Sequence, residues 1–327
     1  MRRSLLLTTL PIVAVLGLLA ACSSDVEKTP APPKTVPSSS GEPGVPGENG
    51  GQTPVLTGTS PTDPPPPAGE PPFVWTAPVV PTTSAACGTP MPDAVRVKYT
   101  TPNGRTFHVW GPSGYDPAKK YPVVLMFHGQ QSTGDGFESW FKMENHTQNE
   151  AFVVYMDAVN GYWDLNGTSD LVFFDEVIKQ LGETYCINPS RVLGFGFSYG
   201  GFFANHLGCK RAGHVKAISV GDGYWGGDGN KCGRLPVLVT SRTHDYDEPV
   251  SHGRYVQSRW TGLNKCGAAA APSDAEHNCE AQPSCSSPGS VTFCEDTWFD
   301  PSWPVDWNHT VREKYRAFTY NWFKSLP

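Results

Sequence analysis

The chain has 327 residues, of which 38% are hydrophobic and 17% charged, and a formal net charge of −6. That length bounds it to one or two globular domains. The acidic balance, with no basic run outside Arg2 and Arg3, argues against nucleic acid or anionic lipid headgroups as partners.

Residues 1–22 read as a targeting segment: two arginines precede an apolar stretch from Leu5 to Ala20, and small residues follow. The stretch is short for a bilayer span. Leu19-Ala20-Ala21-Cys22 resembles the bacterial lipoprotein signal, in which the cysteine is acylated and becomes the new N-terminus. Residues 23–83 are dominated by Pro, Gly, Ser and Thr, including Pro64 to Pro67 in a row. Such a segment buries too little apolar surface to offset its ordering entropy, so it is expected to be an extended tether. Leader, tether and dense domain over 84–327 imply an exported protein that meets the membrane only through a lipid on Cys22. Of nine cysteines, eight remain after Cys22. An even set in an exported domain suggests up to four disulfides. No Cys-x-x-Cys pair or clustered Cys/His spacing points to a metal.

Within 84–327, "AVRVKYT" and "TFHVW" read as an antiparallel pair joined through Pro102-Asn103-Gly104. "PVVLMF" (122–127), "FVVYM" (152–156), "RVLGFGF" (191–197) and "PVLVTS" (236–241) are apolar on consecutive positions, as in strands covered on both faces. Helices are expected between them. "DLVFFDEVIKQLGETY" places Leu171, Phe174, Ile178 and Leu181 on one stripe, with Ser169 or Asp170 as N-cap; others span Tyr199–Leu207, Val250–Thr261 and Val311–Phe323. The alternation implies an α/β domain with a mostly parallel central sheet and helices on both faces, whose ligand sites gather at the carboxyl ends of the strands.

One such end carries "GFSYG", a Gly-x-Ser-x-Gly pattern that is weak alone but here ends an apolar strand and opens a helix. A serine hydroxyl needs a base and a group that orients the base. In this fold class the order is Ser, acid, His, each on a loop after a strand. The loop after "PVLVTS" offers Asp245, Asp247 and Glu248. Of the three later histidines, His252 falls in a helix and His277 in a cysteine-containing loop, which leaves His309 directly before the last helix. The Tyr199 backbone N–H at the helix start is one oxyanion donor, and the loop Phe127-His128-Gly129-Gln130 supplies a second through the Gln130 N–H. His128 itself reads as structural.

Together these motifs resemble the secreted α/β-hydrolase esterases that include feruloyl and acetylxylan esterases and the polyhydroxybutyrate depolymerase-like lipoproteins. The resemblance runs from Cys87 to the C-terminus through "YPVVLMFHG", "YCINPSRVLGFGFSYGGFFANHLGC", "THDYDEPV" and "CEDTWFDPSWPVDWNHT". It implies an α/β-hydrolase fold stabilised by disulfides, with Ser198 as nucleophile and His309 as base. An Asp four positions before a proline makes Asp245 the acid, with Asp247 as alternative because Ser241-Arg242 stands where a His-Gly pair is common. It further implies pairs Cys87–Cys186, Cys209–Cys232 and Cys266–Cys294, and two-step acyl transfer without metal or cofactor, by a monomer acting on a polysaccharide-linked phenolic or acetyl ester. Tyr199 and the cysteines favour the feruloyl esterase side over a polyester oligomer depolymerase. A non-catalytic binding lipoprotein on the same scaffold is the alternative of another class. "GDGYWGGDGN" (221–230) with Trp298, Trp303 and Trp307 is expected around the site as an aromatic platform.

Overall fold

The computed structural model describes residues 83–91, 96–227, 229, 232–302 and 308–327. The expected leader with Cys22, the expected tether up to residue 82, and Trp303 and Trp307 lie outside the described residues.

In chain order the first elements are β1 (Arg96–Thr100), β2 (Thr106–Trp110), β3 (Tyr121–Phe127), α1 (Gly134–Phe141) and β4 (Phe152–Met156). The middle of the domain comprises α2 (Ser169–Thr184), β5 (Ile187–Phe197), α3 (Tyr199–Arg211), β6 (Ala217–Gly221) and β7 (Pro236–Arg242). It closes with α4 (Val250–Leu263), β8 (Ala271–Asp274), β9 (Cys279–Ala281), β10 (Ser290–Asp296) and α5 (Glu313–Ser325). All ten strands form one sheet in the order β1-β2-β4-β3-β5-β6-β7-β10-β9-β8. The six central strands, β4 to β10 in that order, run parallel, and antiparallel pairs flank them on both sides.

The continuous apolar runs are explained by two cores. Along β3, Val123, Leu125 and Phe127 join one cluster with Leu171, Phe174 and Ile178 of α2, Phe203 and Leu207 of α3, and Trp260 of α4. The alternate positions Val124 and Met126 join the other, with Phe137 and Phe141 of α1 and Tyr320 and Phe323 of α5. Each fully buried side chain of this kind contributes about 1.5–3 kcal/mol, which is why both faces must be covered.

Several elements differ from the expectation. Ser169 and Asp170 are the first residues of α2, and Thr168 takes the cap position without a side-chain bond. Asp170 is instead buried and paired with Arg105 at 2.6 Å. Helix α1 escapes propensity because Gly134 and Gly136 weaken it. It forms because Thr133 Oγ1 accepts the Gly136 N–H at 3.0 Å and because Phe137 and Phe141 bury one face. β6 and β10 are also absent from the sequence reading: β6 is five residues with a serine at its centre, and β10 mixes polar residues into its run.

Four disulfides join Cys87 to Cys186, Cys209 to Cys232, Cys266 to Cys285 and Cys279 to Cys294. The expected Cys266–Cys294 pair is therefore corrected. β9 and β10 place Cys279 directly opposite Cys294 in antiparallel register. The chain after α4 meets the next turn, with the Gly267 N–H donating to the Pro283 carbonyl at 2.7 Å, and this brings Cys266 to Cys285.

Candidate active site

Ser198 stands between β5 and α3 with φ 53° and ψ −124°. That backbone is costly for a residue with a Cβ and persists only where its surroundings over-determine it. The two flanking glycines show how. A Cβ on Gly196 would lie 1.9 Å from the Gly200 carbonyl oxygen, and one on Gly200 would lie 2.0 Å from the Phe127 carbonyl oxygen. The turn is therefore pressed between its own helix and the end of β3. The Ser198 N–H donates to the Gly221 carbonyl at 2.9 Å, and the Ser198 carbonyl accepts from the Gly201 N–H at 2.7 Å.

His309 and Asp245 meet across 64 positions of sequence, with Nδ1 2.6 Å from Oδ2. The Asp245 side chain is fully buried. Its other oxygen accepts the backbone N–H groups of Asp247 and Glu248, each at 2.9 Å. Three hydrogen bonds thus hold the carboxylate in one orientation. Asp247 supplies a backbone donor to Asp245 and is itself exposed. The His309 ring also packs on Phe197, centroids 4.7 Å apart, so the residue before Ser198 supports the imidazole.

Ser198 and His309 line one cavity of 460 Å³ together with Gly129, Gln130, Phe197 and Tyr199. Phe202, Asp247 and Glu248 complete its wall. A larger hollow of 620 Å³ between β8, β10 and α5 contains His277 but neither Ser198 nor His309. Of the other histidines considered from the sequence, His277 faces Asp274 at 3.0 Å and His252 faces Glu248 at 2.8 Å. Burial raises the Glu248 pKa, and its His252 partner opposes this.

The loop after β3 is held by His128, which is fully buried. Its Nε2 accepts the Ala158 N–H at 3.1 Å, which leaves Nδ1 as the donor to the Gly129 carbonyl at 2.7 Å. Burial lowers its pKa, in keeping with a neutral ring that shapes the loop carrying Gln130. That loop runs beside the serine: a Cβ on Gly129 would lie in ordinary contact with Ser198 Cβ, at 3.4 Å.

Beneath Asp245 lies a buried ionic group that the sequence reading does not contain. Asp222, at the end of β6, is buried, and its Oδ1 accepts the Arg242 N–H at 2.8 Å. Burial pushes its carboxyl well above the usual range, and the neighbouring Asp245 charge acts in the same direction. Arg242 is 1% exposed; its Nη2 donates to the Trp298 carbonyl at 3.0 Å and to Asn308 Oδ1 at 3.3 Å. Its Nε lies 3.7 Å from Asp296, which Arg312 also holds through two hydrogen bonds. Trp298 packs under both guanidinium groups, 5.3 and 5.1 Å away, rather than lining the cavity. No local pattern marks these residues, because their partners lie on different strands and loops.

Two sets of side chains among the described residues have ligand-like spacing: Asp245, Asp247 and His309, and separately His108, Asp135 and Glu138. In the first, His309 Nδ1 is committed to Asp245. In the second, Arg96 occupies both carboxylates, at 2.5 and 2.8 Å.

A parallel sheet covered on both faces, with Ser198 at a strand-to-helix elbow and an Asp–His pair delivered by later loops, is an α/β-hydrolase fold. No family profile matches the chain. In sequence the chain is similar to a probable feruloyl esterase C of Aspergillus terreus, 29% identical over 177 residues, which cover 51% of this chain and 64% of that protein. It is also 29% identical to feruloyl esterase C of Emericella nidulans over 156 residues, 45% of this chain and 56% of that one. The matched region thus spans less than two thirds of these relatives. Among solved structures, an acetyl xylan esterase from Aspergillus awamori superposes with a TM-score of 0.55 at 13% identity, covering 70% of this chain and 100% of that one. A ferulic acid esterase from Anaeromyces mucronatus gives 0.50 at 18% identity over 73% of this chain and 92% of that one. At those identities the structures share the fold.

Proposed function

We propose that the chain is a serine carboxylic-ester hydrolase of the feruloyl esterase type. The observation that carries this reading is the joining of three separate elements: the strained Ser198 elbow, and a His309–Asp245 pair that shares its cavity. With Nδ1 bound to Asp245, the imidazole keeps Nε2 for the Ser198 proton. Ser198 Oγ attacks the ester carbonyl carbon as its proton passes to His309, and the carbonyl electrons move onto oxygen. The Gln130 and Tyr199 N–H groups are assigned to that oxyanion, where such donors are worth about 10²–10³ in rate. Collapse expels the alcohol with the proton from His309. Water then attacks the acyl-serine by the same steps in reverse roles and releases the acid. Asp245 stays ionised and stabilises the imidazolium.

Similarity to feruloyl esterases favours a phenolic acyl group esterified to a cell-wall polysaccharide. Four disulfides suit an oxidising compartment outside the cytoplasm. In this reading residues 1–22 direct export, Cys22 carries the lipid, and residues 23–83 hold the hydrolase domain away from the membrane. The test is labelling of the full chain by a fluorophosphonate, followed by hydrolysis of methyl ferulate, acetylated xylan and hydroxybutyrate oligomers, with Ser198→Ala as control. Fast labelling with cleavage of methyl ferulate, both lost in the variant, is expected. Neither labelling nor cleavage by the wild type would show a non-catalytic protein instead.

A further inference from the structure

Five partly exposed aromatic rings form an unbroken run that passes through the wall of the cavity. Tyr162 lies 5.9 Å from Tyr199, Tyr199 5.4 Å from Phe202, Phe202 6.1 Å from Tyr224, and Tyr224 5.3 Å from Tyr255, centroid to centroid. Tyr199 and Phe202 line the cavity that holds Ser198. The two end rings, Tyr162 and Tyr255, are each 42% exposed. Tyr224 returns to the cavity by a second route: its ring packs on His252 at 4.3 Å, and His252 is hydrogen-bonded to the cavity residue Glu248.

We propose that Tyr162, Tyr199, Phe202, Tyr224 and Tyr255 form a carbohydrate-binding track leading out of the Ser198 cavity, which takes the sugar chain to which the scissile ester is attached. This rests on the ester-hydrolase reading above and names the part of the substrate that lies outside the reacting group. The run is longer than one acyl group, so it fits a chain. Four of its five members are tyrosines, which pair an apolar face with a polar edge. A sugar ring has the complementary form, with C–H faces for the rings and hydroxyls for the phenols. An apolar polyester offers these rings apolar contact but no hydroxyl for the polar edges of the exposed Tyr162 and Tyr255.

The track is also built in advance. Gln131 Nε2 donates to the Tyr162 hydroxyl at 2.7 Å, and the Tyr199 hydroxyl donates to the Trp163 carbonyl at 3.2 Å. The fully buried Asn205 donates to the Tyr224 carbonyl at 3.0 Å, while its own oxygen accepts from Trp260 Nε1 at 2.7 Å. The Tyr162 and Tyr199 hydroxyls and the Tyr224 backbone are thus tethered before a ligand arrives, which lowers the ordering cost of binding.

The experiment compares the full chain with a Tyr224→Ala/Tyr255→Ala variant on methyl ferulate and on feruloylated arabinoxylan, and measures binding of ester-free arabinoxylan to both proteins in the Ser198→Ala background. The ratio of polymer to methyl ferulate kcat/KM is expected to fall about tenfold through KM, as two lost aromatic contacts imply. Binding of the ester-free polymer should weaken by the same factor, and Tyr224→Phe/Tyr255→Phe should restore the part owed to stacking. Equal losses on both substrates, or no change in the ratio together with unchanged polymer binding, would overturn the track. If the wild type cleaves neither ester, the hydrolase reading fails by itself, and the binding comparison still decides the track.

Discussion

Arg242 Nη2 donates to Asn308 Oδ1 at 3.3 Å and so ties the end of β7 to the residue immediately before His309. The same residue's carbonyl accepts the Asp245 N–H at 3.4 Å, so one buried arginine touches the chain on both sides of the Asp245–His309 pair. Removing its charge leaves the buried Asp296 to Arg312 and takes away the hydrogen bonds to the Trp298 carbonyl and Asn308 Oδ1. Arg242→Met is expected to cost about 3–5 kcal/mol, read from urea unfolding. Arg242→Lys keeps the charge but lacks the planar fork. It should remain folded and lose about tenfold in kcat with a smaller change in KM, because the His309 loop is less well placed. Unaltered kcat in a folded lysine variant would remove Arg242 from the positioning of His309.

The choice between Asp245 and Asp247 has a direct kinetic consequence. Asp245 holds His309 Nδ1, whereas Asp247 contributes its backbone N–H. Asp245→Asn presents the wrong partner to the imidazole and is expected to lower kcat by about 10³-fold or more. Asp247→Asn, at an exposed carboxylate, should stay within about threefold. The opposite ranking on methyl ferulate would reassign the acid.

Gly200 and Gly213 make a matched pair of substitutions. A Cβ at Gly200 meets the backbone oxygens of Phe127 and His128 at 2.0 and 2.6 Å, and neither can turn aside. Gly200→Ala should therefore cost about 3 kcal/mol and displace the elbow. Gly213→Ala, with nothing within 4 Å of its added Cβ, should be neutral or stabilising by about 0.4–1 kcal/mol. Thermal unfolding of the two variants separates crowding at the elbow from a general effect of losing glycine.

Asp222 predicts a pH dependence of stability. Its folded pKa lies well above the ordinary value, raised first by burial and then by Asp245. From about pH 4, where an unfolded Asp loses its proton, up to the folded pKa, the folded chain holds a proton that the unfolded chain has released. Its contribution to stability therefore falls as pH rises through that window, by at most about 1.4 kcal/mol per pH unit. Asp222→Asn removes this loss, so its urea midpoint should gain on the wild type with rising pH. Parallel curves for the two proteins would show that Asp222 ionises normally in the fold.

The residues that were legible from sequence are those whose role is written in neighbours along the chain. The apolar runs at 122–127, 152–156 and 236–241 need covering on both faces wherever they sit, and the glycines around Ser198 announce a tight strand-to-helix turn. Chain order narrows the candidate base to His309. Tertiary structure decided what depends on register and on distant partners. It gave the His309 Nδ1 bond to Asp245 rather than Asp247: Asp245 is buried with one oxygen on the ring, and Asp247 contributes its backbone N–H to the other oxygen. It paired Cys279 with Cys294 because the β9–β10 ladder sets them opposite each other. It buried Arg242 between Asp222, Asp296 and Asn308, and it lined up rings from four separate segments, from Tyr162 to Tyr255, beside the cavity. Local pattern reports burial and backbone shape, which neighbouring residues share; partnership across the sheet is set by packing, and only the folded chain contains it.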